Sequence, residues 1–443
     1  MAQIQNREES TISKKDKYTL IDTTLLSIGG MIGGGIFILN GLLVQKNQQW
    51  APLSWIIGLV IALFISFSYI ILSQEFNNNN GGTILYLEKM TNNKNIRRLY
   101  SIVVMLGYIF LSTVYAQAFG EYAANYFNKP YLSSLFSIIS LFFCLIINYF
   151  NEQQFINIEN YSVFLKVIIF FFIISLGMII PNKPGVIKNI SSLSQENKVS
   201  ANSIIIFGLG AFLTYEGFEM ISNVTKKMKN KSTNIPLSYF LSIVITGLIY
   251  MGTSYVTYKH IGKELNSQNR FFSLLSLIEK YHLSIFGPLL ILLLAFFADI
   301  TAINSTLFVN NRIANQFLEY FEPSSSLKKG LEYEIKLPFF LEKRRITIWV
   351  SCILSSVFVF LPLVVTTNLG SMLFLIIFGV IGILGYLLTI QYEKKKKPLL
   401  IFNSKTPYIL SKIITILSVL LCLVGIIFTS NETRKIVLGT ITI

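Results

Sequence analysis

Residues 27–37 read Ser-Ile-Gly-Gly-Met-Ile-Gly-Gly-Gly-Ile-Phe, with five glycines in seven positions, inside an apolar run over 20–44. A run of about 20 apolar residues is long enough to span a bilayer as a helix. Each glycine inside a helix costs roughly 0.5–1 kcal/mol relative to alanine. A main-chain group left unpaired in hydrocarbon costs more still. A helix interrupted at the glycines, with its freed N–H and C=O groups turned toward a polar ligand, meets both constraints. The competing reading is that small residues here let two helices pack closely.

The rest of the chain supports a membrane setting. Of its 443 residues 53% are hydrophobic and 13% charged, and its mean hydropathy is +0.59, whereas a soluble chain carries about a quarter charged residues. Runs long enough to cross lie near 20–44, 53–75, 99–127, 132–150, 157–181, 201–224, 237–258, 284–311, 346–366, 369–390 and 407–429, which predicts about eleven transmembrane helices in an all-α polytopic protein. The tail 431–443 is too short and polar to add a twelfth. Nothing at the polar N-terminus resembles a cleavable signal. With the N-terminus inside, the cytoplasmic segments hold 24 Lys and Arg against 11 on the other side, with Lys166 and Lys412 within spans. The net charge of +15 therefore reads as a topology signal and contact with anionic lipid, not as a nucleic-acid surface. This predicts a multi-pass protein of the cytoplasmic (inner) membrane.

Cys144, Cys352 and Cys422 are dispersed within apolar spans and form neither a disulfide framework nor a metal site. The two histidines, His260 and His282, share one polar loop, and no cofactor is expected. GxSxG, HExxH, CxxC and GxxxxGK[ST] patterns are absent from the sequence, which argues against an enzyme or a primary pump and for energy from an ion gradient or exchange. A membrane-embedded transferase or receptor is the reading from a different class. A transferase would need a catalytic cluster, and a transporter differs from either in exchanging its ligand without chemical change.

A second glycine interruption, Phe207-Gly208-Leu209-Gly210-Ala211-Phe212-Leu213-Thr214-Tyr215-Glu216-Gly217-Phe218-Glu219, lies in the sixth span. Interrupted first and sixth spans are corresponding positions of a five-plus-five inverted repeat, the pattern that marks a secondary transporter's midplane site. The expected division is a tail over 1–19, repeats over 20–181 and 201–390 joined by an extracellular loop over 182–200, and a basic loop with the eleventh helix over 391–443. The long loop 315–345 is assigned no fold.

Ionisable residues inside spans need a partner, water or a function. Lys166 stands about ten residues into its span, near mid-depth. It is a candidate proton carrier, with structural pairing to a helix-end carbonyl or to Asp299, and snorkelling, as the alternatives. Asp299 opens a polar stripe with Thr301, Asn304 and Ser305, read either as a Na⁺ site or as interhelical hydrogen bonding. Glu216 is expected to face the cavity and Glu219 to brace its helix. Glu121 lies nearer an end. Tyr108, Tyr115 and Gln117 are gate candidates, with packing as the alternative.

These stretches resemble the amino acid–polyamine–organocation superfamily of permeases, which has the LeuT fold. The likeness rests on GGMIGGGIF, on AFLTYEGFE, on Lys229-Asn230 with Asn234-Ile235-Pro236, and on Gly81-Gly82 before Tyr86. It covers roughly 18–400, with Lys231 where the family has proline, Ile84 where tyrosine is common, and eleven spans where relatives commonly have twelve. Lys166 falls where the proton-coupled, broad-specificity amino-acid transporters (ApcT type) carry a fifth-span lysine. The resemblance implies discontinuous helices 1 and 6. It places the substrate carboxylate on the N–H groups of Gly33, Gly34 and Gly35, with Ile36 in the same turn. The ammonium would meet carbonyls around Phe207, Gly208 and Gly210, and Phe212 and Tyr215 would wall the pocket. The implied partners are an amino acid and H⁺. An amino acid/amine exchanger or a polyamine transporter is the alternative, favoured by Glu216.

Overall fold

In lipid a helix satisfies its own main chain, and the apolar stretches accordingly wind into helices. The computed structural model describes residues 18–78, 82–148, 152–181, 199–266, 269–281, 283, 286–319, 343–401 and 404–441. The predicted tail over 1–17, nearly all of the 182–200 loop, most of the 315–345 loop, His282 and Gly81 lie outside these residues.

The first span is two helices, α1 (Leu20–Met31) and α2 (Gly34–Asn47). Helix α1 opens on a capping box: Thr19 Oγ1 accepts from the Asp22 N–H, and Asp22 accepts from the Thr19 N–H at 2.7 Å. Then follow α3 (Ala51–Glu75), α4 (Gly82–Met90), α5 (Lys94–Tyr126), α6 (Ser133–Ile147), α7 (Glu152–Ile179) and α8 (Ala201–Phe212). Beyond α8 the chain runs in 3₁₀ turns over 213–215 and 218–223 before α9 (Lys231–Ile261). Helices α10 (Ser273–Lys280), α11 (Phe286–Glu319), α12 (Lys343–Phe358), α13 (Leu363–Lys394) and α14 (Tyr408–Ile441) complete the chain, with a two-residue hairpin between the last two.

The α-helical part of the interrupted sixth span ends at Phe212. Several expectations need correction. The predicted 346–366 span stops at Phe358, and Pro362, whose fixed φ suits a helix start, caps α13. The last helix runs on to Ile441, through the tail read as separate. Helices α4 and α10 fall where only loops were expected. Among the described residues nine segments are long and apolar enough to cross a membrane, one of them Gly34–Glu75, where α2 and α3 run together.

Helix α1 packs against α7, α9, α11 and the 218–223 turns, which puts both interruptions at the centre of the bundle. Pro236, inside α9, has no N–H to give the carbonyl four residues back, and Gln74 Nε2 supplies that carbonyl, Ser232 O, at 3.1 Å. Helices α13 and α14 pack together at the edge of the bundle. There Ile409, Ile413, Ile416, Leu420 and Ile427 leave an exposed apolar stripe suited to lipid.

Candidate functional site

At the end of α1 the helical ladder runs out: Ile32 still bonds Ile28 O at 2.9 Å, while Gly33, with φ −125° and ψ −145°, turns the chain into α2. The last carbonyls of a helix need outside donors, and side chains supply them. Lys166 Nζ donates to Gly29 O at 3.0 Å and Ile32 O at 2.8 Å. Tyr115 donates to Gly30 O at 2.9 Å. The Tyr250 hydroxyl lies 2.7 Å from Met31 O and 3.0 Å from Thr214 O, sharing its hydrogen between the two interruptions. Across the gap, the first N–H groups of α2 receive no side-chain cap from Gly33. The break thus has a carbonyl end held by protein donors, and at its N–H end Gly33 donates to Met31 O at 3.1 Å while no N-cap side chain covers the N–H groups that follow. A helix N-terminus carries partial positive charge and suits an anion.

The second interruption is sharper. Glu216 is extended (ψ 130°) and Gly217 has φ +129°, a conformation that favours glycine. A Cβ on Gly217 would stand 2.6 Å from both Gly30 C and Met31 N, so the two breaks cross main chain to main chain here. Glu219 accepts from the Gly217 N–H at 2.7 Å and from the Tyr108 hydroxyl at 3.0 Å, bracing the turn. Glu216 is buried, and its Oε1 has no hydrogen-bond partner.

This break falls at 213–217, inside the 207–219 stretch and past the three residues expected to offer carbonyls to the ammonium. Phe207 and Gly208 lie within intact α8, Gly208 packing on Ile57, while Gly210 faces open space. Phe212 packs on Phe378, and the Tyr215 hydroxyl bonds Trp55 O at 3.0 Å; both side chains are buried. Ile36 is buried in the first turn of α2, whereas Gly35 and Thr214 keep partial exposure beside each other. Gln117 sits away from the crossing, its amide holding Val359 O and Leu361 O. Glu121 accepts from Ser133 near the end of α5.

Lys166 Nζ completes its three donors on Thr301 Oγ1 at 2.6 Å, so its acceptors match the three N–H groups of an ammonium. Asn304 and Ser305 do not frame an open pocket. Asn304 Nδ2 at 2.9 Å and Ser305 Oγ at 2.8 Å donate to Glu159, a residue absent from the sequence-based set. Asp299, one helical turn before Ala302, has both carboxyl oxygens buried without a partner. A Cβ built on Gly34 would stand 3.5 Å from Asp299 Oδ1, so that carboxyl lies beside the start of α2. Among the described residues no cluster of three or more His, Cys, Asp or Glu could hold a metal.

The amino acid permease family model matches residues 18–440. The uncharacterized protein MJ0609 of Methanocaldococcus jannaschii is 26% identical over 322 residues, 70% of this chain and 71% of the relative. The inner membrane transport protein YbaT of Escherichia coli is 24% identical over 64% of this chain and 65% of its own. The aspartate-proton symporter of Bacillus subtilis is 24% identical over 52% of this chain, and the match spans 45% of that relative. Two solved structures superpose over nearly the whole chain. A Na⁺-coupled sialic acid symporter in a substrate-bound, outward-open state gives a TM-score of 0.60 at 14% identity, covering 94% of this chain and 90% of that one. A mutant of the Eremococcus coleocola manganese transporter gives 0.61 at 13% identity, covering 95% and 92%. At such identities the likeness shows the fold alone, and that is the LeuT-type architecture with two discontinuous helices.

Proposed function

Because the chain belongs to the amino acid permease family and is a multi-pass membrane transporter, we propose that it moves amino acids across the membrane with protons, by alternating access. The substrate carboxylate docks on the N–H groups of Gly34 and Gly35 at the positive end of α2, and the Gly33 N–H joins them by giving up its bond to Met31 O. Its ammonium faces the 213–217 break, where Glu216 is the acceptor in want of a donor. The charge asymmetry of the loops supports an N-terminus on the cytoplasmic side of a cytoplasmic membrane.

The observation that carries the coupling is Lys166: its ammonium bonds the loose end of α1 to α11 through Gly29 O, Ile32 O and Thr301. Loss of its proton removes the charge that those carbonyls hold and loosens α1, and regaining it resets the half-helix. Asp299 contributes a linkage of its own. Ionised, it competes with the substrate carboxylate for the start of α2; neutral, it does not. Proton and substrate therefore favour each other's binding. The aspartate-proton symporter among the relatives agrees with this coupling ion.

The test is uptake into proteoliposomes of each common amino acid, with and without an inward proton gradient and with Na⁺ replaced by choline. The expected result is uptake that rises with the gradient and ignores Na⁺. Uptake that needs Na⁺ and ignores pH would overturn the coupling. A second reading, exchange of amino acids for amines or polyamine transport, is favoured by the buried Glu216 Oε1, which has no hydrogen-bond partner. Counterflow against arginine, agmatine and glutamate separates the two.

A further inference from the structure

Glu159 touches neither break in the first or sixth span by a side-chain hydrogen bond, yet its side chain is nearly as deeply placed as Lys166, at 2% exposure. Helices α7 and α11 pack against each other, and their hydrogen bonds form two rungs of an antiparallel pair. Lys166 meets Thr301, and seven residues earlier Glu159 meets Asn304 and Ser305, one turn further along α11. Seven residues make about two helical turns, so Glu159 and Lys166 share one face of α7. A long side chain on a helix leans toward the helix N-terminus, here toward the Glu159 rung.

Gly29 stands between the two groups. Lys166 Nζ holds its carbonyl at 3.0 Å, and a Cβ on Gly29 would fall 2.3 Å from Glu159 Oε1. A single residue of main chain separates ammonium from carboxyl. Asn148 donates to Asn304 Oδ1 at 2.7 Å and so turns the Asn304 amide N–H toward Glu159. Past Glu159, Asn160 Nδ2 donates to Asp22 Oδ1 at 2.8 Å, and both residues are half-buried where α1 begins. The charged or titratable groups around Glu159 are Lys166 on its own helix, Asp299 on α11, Asp22 on α1 and Cys144 on α6, whose thiol faces Ile300 O at 3.5 Å. Helix α9, also packed on α7, brings Tyr250 to the end of α1.

We propose that Glu159 accepts the proton that Lys166 releases and passes it out past Asn160 and Asp22, at the end of the bundle where α1 starts. This rests on the proton-coupled reading of Lys166. One proton leaves the ammonium, giving a neutral amine and a neutral carboxylic acid. The acid then yields that proton to water at the α1 mouth and returns to a carboxylate. Lys166 is reprotonated from the opposite side.

The experiment compares wild type, Glu159→Gln and Glu159→Asp in proteoliposomes. Two activities are read: counterflow at equal pH, which needs no net proton transfer, and net uptake driven by a proton gradient. Glutamine keeps one oxygen for the Asn304 amide and turns its own N–H₂ to the Ser305 hydroxyl, which can accept, but it cannot carry the proton. Glu159→Gln is expected to retain counterflow while driven uptake falls about a hundredfold or more. Glu159→Asp, whose carboxyl sits one methylene back, should show an intermediate ratio of the two activities. That ratio still decides the matter if the glutamine variant does not fold. Driven uptake at the wild-type rate in Glu159→Gln would overturn the assignment. So would parallel loss of both activities in folded Gln and Asp variants, which marks a structural role. A wild-type carrier indifferent to the gradient brings down the proton-coupled reading itself, an outcome distinct from failure at Glu159 alone.

Discussion

Replacing Gly217 by alanine strikes the point where the two interruptions touch. The residue has φ +129°, and the new Cβ would lie 2.6 Å from Gly30 C and 2.6 Å from Met31 N, main-chain atoms with no flexible end to swing away. Holding alanine in such a backbone region costs about 1–3 kcal/mol, and relieving the overlap costs about 1–3 kcal/mol more. The sum is roughly 2–6 kcal/mol. The neighbours cannot shift for free, because Tyr115 and Tyr250 pin the carbonyls of Gly30 and Met31. Gly210→Ala is the matched control: nothing stands within 4 Å of its added Cβ, and within α8 the exchange favours helix by up to about 1 kcal/mol. Heating detergent-solubilised protein and following the monodisperse fraction should show Gly217→Ala losing its fold several degrees below wild type, with Gly210→Ala at or above it. Equal melting of Gly217→Ala and wild type would refute the close crossing.

Further outcomes follow from the same contacts. Lys166→Met leaves Gly29 O and Ile32 O without their donor, so gradient-driven uptake should vanish in the liposome assay; unchanged driven uptake removes Lys166 from the coupling. Gly35→Leu starts from a Cβ only 3.0 Å from Thr214 Cγ2 and carries its branch beside the first N–H groups of α2. Labelled-substrate binding should be lost, and normal binding would move the site elsewhere. Tyr250→Phe removes the one hydrogen that Met31 O and Thr214 O share, at a cost of about 1–3 kcal/mol in thermal stability. A wild-type melt would mean that the hydroxyl does not link the breaks.

The glycine run at 29–35 was readable because it violates helix propensity where lipid demands a helix. Lys166 was readable because its charge lies far from either end of an apolar run. Glu159 was not. The polar stretch Asn157-Ile158-Glu159-Asn160 reads as the edge of a span, but α7 starts five residues before the predicted boundary and carries Glu159 two turns inside. Tyr250 is one of 22 tyrosines, and only its fold partners set it apart. Within the 207–219 stretch the break settles at 213–217, because Gly208 is spent on close packing with Ile57, whereas Gly217 takes the positive φ. Glycine composition alone does not say which role each residue has. Pro362 was a visible boundary signal overridden by the apolar residues around it.

The central claim is that main-chain N–H groups at the start of α2 grip a free carboxylate. Competition binding to the purified protein tests it: a labelled amino acid that the carrier transports is displaced by the unlabelled compound, by its carboxamide, or by the amine that lacks the carboxyl carbon. The account predicts displacement by the parent amino acid and none by the other two at equal concentration. Equal displacement by the carboxamide would contradict it.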